Sequence, residues 1–277
     1  MKLPASLAFL AFVTSLAAQK PADSPWGDFV EKDFPFFSSV LDCRDVGEGF
    51  PKDNLTPRGL ILNLGHNLWA CFDTDLLRIA CIWEGEPGKP PVTPAALAPG
   101  SYHVAGQKTK DGQEDLPKPI GKVWLANGIY PGWQVGEKPS FTDPREPAPS
   151  KEEVGRGPIS NFRLREVVPT KGGVRITYAV GKVSVNEWIT SEVTKRDVRV
   201  QRSIEVESDS EPEFKLISIF GWWPSDAAKI HASRSHGRNV GPGKSQKDKG
   251  EPFFYSISKG ESKDAASNRV ELIEQVR

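Results

Sequence analysis

Apolar positions along this chain recur mostly at every second residue, the spacing of half-buried strands and not of helices. From Gly59, Leu60-Ile61-Leu62-Asn63-Leu64 runs into a turn at Gly65-His66-Asn67. The apolar run Leu68 to Phe72, a turn at Asp73-Thr74-Asp75 and a second run from Leu76 to Trp83 follow, and all three read as successive short strands joined by tight turns. A second block is more regular. Phe162-Leu164 and Val167-Val168 precede the turn Pro169 to Gly173, then Val174-Ile176-Tyr178-Val180 alternate up to Gly181-Lys182. Val183-Val185 lead towards Trp188 and Ile189, and Val198-Val200-Arg202-Ile204-Val206 alternate again with polar residues between. Phe214 to Trp223 is apolar on both faces and reads as a central strand, and Phe253 to Ser258 and Arg269 to Val276 close the pattern. The five strands from Phe162 to Trp223 predict an antiparallel meander forming one sheet of a large β-sandwich, all-β with little helix.

Composition sharpens the connections. The 277 residues include 25 Gly and 24 Pro, which interrupt helices and confine strands to short pieces. Their density is greatest from Glu84 to Pro158, predicting a loop-rich insertion (84–158) in which only segments such as Lys122 to Leu125 extend. Residues 26–58 read as an irregular N-terminal arm with aromatics at Trp26, Phe29, Phe34, Phe36 and Phe37. Ser225 to Pro252 turns polar and basic and reads as a mobile loop. No internal repeat is visible, so 19–277 is expected to form a single domain.

Met1 to Ala18 has the layout of a secretory signal peptide: Lys2, an apolar run from Leu7 to Leu16, and small residues at Ser15, Ala17 and Ala18. The expected compartment is therefore the periplasm or the exterior. The apolar run is too short for a membrane span. With 36 basic and 36 acidic residues the chain lacks the single-sign field of a nucleic-acid binder. Three cysteines, Cys43, Cys71 and Cys81, allow at most one disulfide and leave one thiol, without fixing which pair forms. Cys71 and Cys81 lie in apolar runs and read as small buried hydrophobes.

Candidate chemistry is sparse. The four histidines, His66, His103, His231 and His236, form no metal-binding spacing, and neither a metal nor another cofactor is expected. Asp73-Thr74-Asp75 places two carboxylates in a turn, where an Asp commonly binds its own backbone. No G-x-S-x-G, P-loop or G-x-G-x-x-G is present. Catalytic candidates reduce to Tyr102, His103 and Arg58, with Asp73 or Asp75 as the acid. The aromatic segment Trp124 to Trp133 suggests a ligand site instead: Trp124, Tyr130 and Trp133 to stack on a sugar ring, Asn127 and Gln134 to take its hydroxyls. The alternative is that these rings plug an end of the sandwich.

Five segments in order carry a family resemblance: Asp33 to Asp42, Asn54 to Gly59, Trp69 to Arg78, Asn127 to Trp133, and Gly155 to Pro158. Together they resemble a domain at the front of large exported bacterial c-type cytochrome proteins. In those proteins the domain precedes a region similar to sugar-dehydrogenase propellers and a haem-binding domain. The resemblance implies a periplasmic setting near carbohydrate oxidation but no particular activity. No C-x-x-C-H occurs in these residues, so no haem attachment is expected of them, and whether the sequence stands alone or belongs to a longer chain is left open. The expected function is a non-catalytic exported binding or scaffold module. Its partners would be glycans or other periplasmic domains. A carbohydrate-active enzyme (hydrolase, lyase or epimerase) and a structural docking domain of a multidomain cytochrome are the alternatives.

Overall fold

Strand β1 spans Phe36–Asp42, β2 Leu55–Asn63, β3 Leu68–Asp73, β4 Arg78–Gly85 and β5 Gly121–Ala126, and they pair antiparallel in sequence order to form the first sheet. The computed structural model describes residues 33–93, 116–135, 140–146, 157–193 and 198–207, together with the strands 216–220, 238–242, 253–259 and 271–276. The proposed signal peptide, Trp26, Tyr102, His103, His231, His236 and most of the basic loop lie outside the described residues.

The second sheet is the expected meander, β7 (Phe162–Thr170), β8 (Gly173–Val180), β9 (Val183–Val193) and β10 (Val198–Glu207). Its fifth strand differs from expectation. β14 (Glu271–Val276) pairs along β10, whereas β11 (Leu216–Phe220) joins a third sheet with β12 (Arg238–Pro242), β13 (Phe253–Lys259) and β6 (Trp133–Val135), in the order β12-β13-β11-β6. The apolar run at 216–220 does mark a central strand, between β13 and β6.

Apolar residues of β2 to β5 pack against those of β7 to β10, so the first two sheets face each other as a sandwich. Alternation decides the inner face of β9: Val183, Val185, Glu187 and Ile189 are buried, and Ser184, Asn186, Trp188 and Thr190 are not. β3 is buried at every position because a second apolar cluster, built on Phe37, Leu41, Trp69 and Trp83, covers the opposite face of the first sheet.

The arm predicted for 26–58 is corrected. Phe36–Asp42 is an edge strand and Leu55–Arg58 is already β2. The clustered Phe-Phe-Ser-Ser and the proline at 57 hid the period, and the pairing itself is irregular: Ser39 faces Gly59, but Leu41 faces Thr56. The extra residue on β2 makes a bulge at Pro57-Arg58 opposite Val40. Within the loop-rich insertion β5 and β6 form strands, and β12 falls within the stretch read as a basic loop. Leu76 and Leu77 belong to a turn and not to a strand. Leu77 takes a left-handed conformation, φ 46°, with its side chain buried, so the turn between β3 and β4 is held by packing against backbone preference.

Candidate functional site

The Asp73-Thr74-Asp75 turn closes the β3–β4 hairpin and organises one end of the first sheet. Asp73 Oδ1 accepts the backbone N–H of Asp75 at 3.0 Å and of Leu76 at 3.2 Å, the self-satisfying turn anticipated from its sequence. Its other oxygen accepts Arg78 Nε at 3.2 Å, with both side chains sealed from solvent. Burial pushes the Asp73 carboxyl above the usual carboxylate range, and the nearby Arg78 guanidinium only partly offsets that.

Arg78 is the hub of a wider network. Its Nη1 donates to the Asn127 carbonyl at 2.9 Å, and its Nη2 donates to Asn54 Oδ1 at 3.0 Å and to Thr56 Oγ1 at 3.4 Å. Asn127 Nδ2 donates to the Ile79 carbonyl at 2.6 Å, and Tyr130 Oη donates to Asn127 Oδ1 at 2.9 Å. The chain reaches this hub because Gly132 has no side chain: a Cβ there would stand 2.2 Å from the Leu77 carbonyl and 2.8 Å from Arg78 Cα. Four of the five segments that carry the family resemblance thus meet in one place, with Asn54, Thr56 and Arg58 from one and Asp73, Asp75 and Arg78 from another. Asn127 and Tyr130 come from the third, and Gly157 comes from the fourth.

The outer part of the network is a second pair. Arg58 Nε donates to Asp75 Oδ1 at 2.8 Å, and Nη2 lies 2.8 Å from Oδ2. Asp75 is 3 % exposed and Arg58 50 %. Arg145, itself clasped by both oxygens of Asp143 and bonded to the Gly157 carbonyl at 3.2 Å, reaches Asp75 Oδ2 at 3.5 Å from the other side. The hydrogen bond from Arg58 to Asp75 raises the already high guanidinium pKa, so Arg58 is a permanent, anchored cation. It stands in the wall of a cleft of about 350 Å³ that opens at the β1–β2 bulge, with Ser38, Ser39, Thr74 and Leu164 among its other lining residues.

The aromatic residues, weighed either as a platform for a sugar or as plugs of the sandwich, are packed inward. Trp124, Tyr130 and Trp133 are buried, with Trp133 1 % exposed, so no broad ring face is open to a ligand. Trp133 Nε1 donates to Tyr178 Oη at 2.6 Å, which donates to Glu187 Oε2 at 2.5 Å; Arg202 Nε donates to Glu187 Oε1 at 2.5 Å. These four side chains form a polar thread through the sandwich core, and burial first, then the adjacent Glu187, raises the Tyr178 hydroxyl pKa well above normal. Asn127 is spent on backbone and Tyr130, and Gln134 is tied to Ser140 by paired bonds of 2.6 and 2.7 Å. Inward packing is the alternative weighed for these rings from the sequence, and Gly132, where the backbone approaches Leu77 and Arg78 closely, is its local signal.

A surface that sequence reasoning passed over lies on the outer face of the second sheet. Among the described tryptophans, Trp69, Trp83, Trp124 and Trp133 are buried and only Trp188 is partly exposed. In register it stands between Arg175 on β8 and Ser203 on β10. Asn186 and Thr190 flank it along β9, Thr177 Oγ1 donates to Asn186 Oδ1 at 2.9 Å, Gln201 Nε2 donates to Ser203 Oγ at 3.3 Å, and Arg175 Nη2 donates to Glu166 Oε2 at 2.8 Å. The parity of Val183, Val185 and Ile189 was the available signal, since it turns Trp188 outward.

All three cysteines are buried free thiols. Burial raises the pKa of Cys43 and Cys71, which suppresses thiolate reactivity. Among the described residues no group of three His, Cys, Asp or Glu is arranged to hold a metal ion, and no helix is long and apolar enough to cross a membrane. No curated protein and no solved structure matches the chain. Residues 70–187, from within β3 to the core-facing Glu187 of β9, match the model of a family described as Domain of unknown function (DUF6797).

Proposed function

We propose that this β-sandwich is an exported, non-catalytic binding module whose ligands are glycans, working beside periplasmic carbohydrate oxidation. The outer face of the second sheet carries the reading: a partly exposed Trp188 whose neighbours in register and along the strand are Asn186, Thr190, Thr177, Gln201 and Ser203. An indole face covers the C–H surface of a pyranose, and short amides and hydroxyls around it exchange hydrogen bonds with ring hydroxyls. The charges nearby are paired, as in Arg175 with Glu166, which suits a neutral ligand. Export rests on the N-terminal signal-like segment.

The state of the carboxylates supports a non-catalytic role. Asp73 is committed to two backbone N–H groups and Arg78, and Asp75 to Arg58 and Arg145. A general acid or base must be able to exchange its proton with substrate, and these two are held as anchors. A glycan array of the mature protein, followed by titration of each hit, tests the proposal. Binding of a neutral oligosaccharide that Trp188→Ala abolishes in a protein of unchanged melting temperature is the expected result. Binding unaffected by Trp188→Ala, or hydrolysis of the bound glycan, would overturn it.

A further inference from the structure

We infer that the cleft beside Arg58 is a second ligand site, one that takes the carboxylate of an acidic sugar. The inference rests on the glycan reading for the sugar, and on the geometry of the cleft for the carboxylate. A guanidinium can engage two oxygens side-on, through Nε and one Nη, and two more end-on, through both Nη atoms. Asp75 occupies the side-on fork of Arg58, at 2.8 Å from Nε and 2.8 Å from Nη2. The end-on fork is turned away from Asp75, on a side chain that is half exposed.

That fork is pre-positioned. Asp75 is almost fully buried and is held in turn by Arg145, so Arg58 needs little further ordering when a ligand arrives. The bulge at Pro57-Arg58 supplies the space: proline has no N–H for the ladder, and the extra residue parts β1 from β2 around Val40. Gly157 passes beside the guanidinium, where a Cβ would lie 3.8 Å from Nη2, and its lack of a side chain keeps that flank of the fork uncrowded.

The remaining walls suit a sugar ring. Thr74 Oγ1 donates to the Arg58 carbonyl at 2.9 Å and Ser39 Oγ donates to the Val40 carbonyl at 2.7 Å, so the hydroxyl protons are used while the oxygens still accept. Ligand hydroxyls can donate to them. Leu60 and Leu164 add apolar surface for the C–H face. At about 350 Å³ the cleft falls at the small end of ligand pockets, roughly 300–1,000 Å³, and fits one or two sugar residues.

The test is isothermal titration of the mature full-length protein with galacturonate and its dimer, with galactose and its dimer as neutral controls, and with an acetylated dipeptide as a second source of carboxylate. The expected result is binding of the uronates at least about tenfold tighter than the neutral sugars. Arg58→Met should abolish the preference, and Arg58→Lys, which keeps the charge but not the fork, should restore part of it. Should Arg58→Met fail to fold, Ser38→Tyr fills the cleft without touching the Arg58–Asp75 pair and must also abolish uronate binding. Equal binding of uronate and neutral sugar, a preference that survives Arg58→Met or Ser38→Tyr, or tighter binding of the peptide carboxylate would each overturn the inference. Trp188→Ala separates the two proposals. Loss of neutral-glycan binding alone on that substitution leaves the cleft supported, whereas neutral glycans that bind in the absence of any uronate binding sink the cleft and leave the Trp188 surface standing.

Discussion

The molecule uses the same two chemistries twice, once sealed and once presented. Arg78 with Asp73 and Arg58 with Asp75 are both Arg–Asp pairs at the same end of the first sheet, yet the first is 0 % and 1 % exposed and the second 50 % and 3 %. Trp133 and Trp188 repeat the contrast: one is hydrogen-bonded inside the sandwich, the other stands on its outer face. The difference teaches that residue type alone does not mark a site here. A buried guanidinium spends its donors on Asp73, Asn54, Thr56 and Asn127, and what it contributes is the convergence of three segments distant in sequence. A guanidinium anchored on one edge only has donors left for a ligand.

The sharpest way to break this comparison is to remove each arginine in turn. Arg78→Met strands the Asp73 carboxylate in the interior and leaves the Asn127 carbonyl and Asn54 amide without their donor. A loss of about 3–5 kcal/mol is expected, read from the urea midpoint at constant slope. Arg58→Met should cost no more than about 1 kcal/mol, because its pair is half exposed and Asp75 keeps Arg145. Equal losses for the two would mean that the outer pair is as structural as the inner one.

The tryptophans give the next largest contrast. Trp133→Phe removes the N–H that donates to Tyr178 and part of the core volume, and should cost about 1–3 kcal/mol. Trp188→Ala lies on a half-exposed face and should change stability by less than about 1 kcal/mol. Near-ultraviolet circular dichroism checks that both variants keep a packed core. A large loss for Trp188→Ala would show that the outer face is itself covered and packed.

Strands and hairpins were legible where neighbouring strands share one continuous pattern. The turns at Gly65-His66-Asn67 and Asp73-Thr74-Asp75 carry their own chemistry, and the meander from Val174 to Val206 alternates so regularly that a register slip would bury its polar face. Long-range partners were not legible. Nothing local distinguishes β14 from β11 as the fifth strand of the second sheet, because strand order depends on contacts far apart in sequence. The site divided the same way. Arg58 and Asp75 were recognisable as candidates, but only the fold shows that one holds the other. The Gly/Pro-rich flanks of Trp124 and Trp133 left a ring platform and an inward plug both open, and the close backbone approach at Gly132 is what turns the chain inward.

Protonation gives the smallest and most specific contrast, between Asp73 and Asp42. Burial acts to raise the Asp42 carboxyl, but hydrogen bonds from the Arg44 side chain to both its oxygens, at 2.9 and 2.8 Å, and from the Arg44 backbone win, so its pKa is lowered. For Asp73 burial wins and the pKa is raised. A lowered carboxylate pKa adds stability that is present above the unfolded value, about 3.9, and is lost as pH falls through the folded one. A raised pKa has the opposite sign: the folded state holds a proton that the unfolded chain has released, and stability falls as pH rises through that window. The stability cost of Asp42→Asn should therefore grow between pH 3 and pH 7, while that of Asp73→Asn should shrink over the same range. Urea denaturation at the two pH values measures both: costs that both shrink would show that burial governs both carboxylates, and costs that both grow that the arginine partners do.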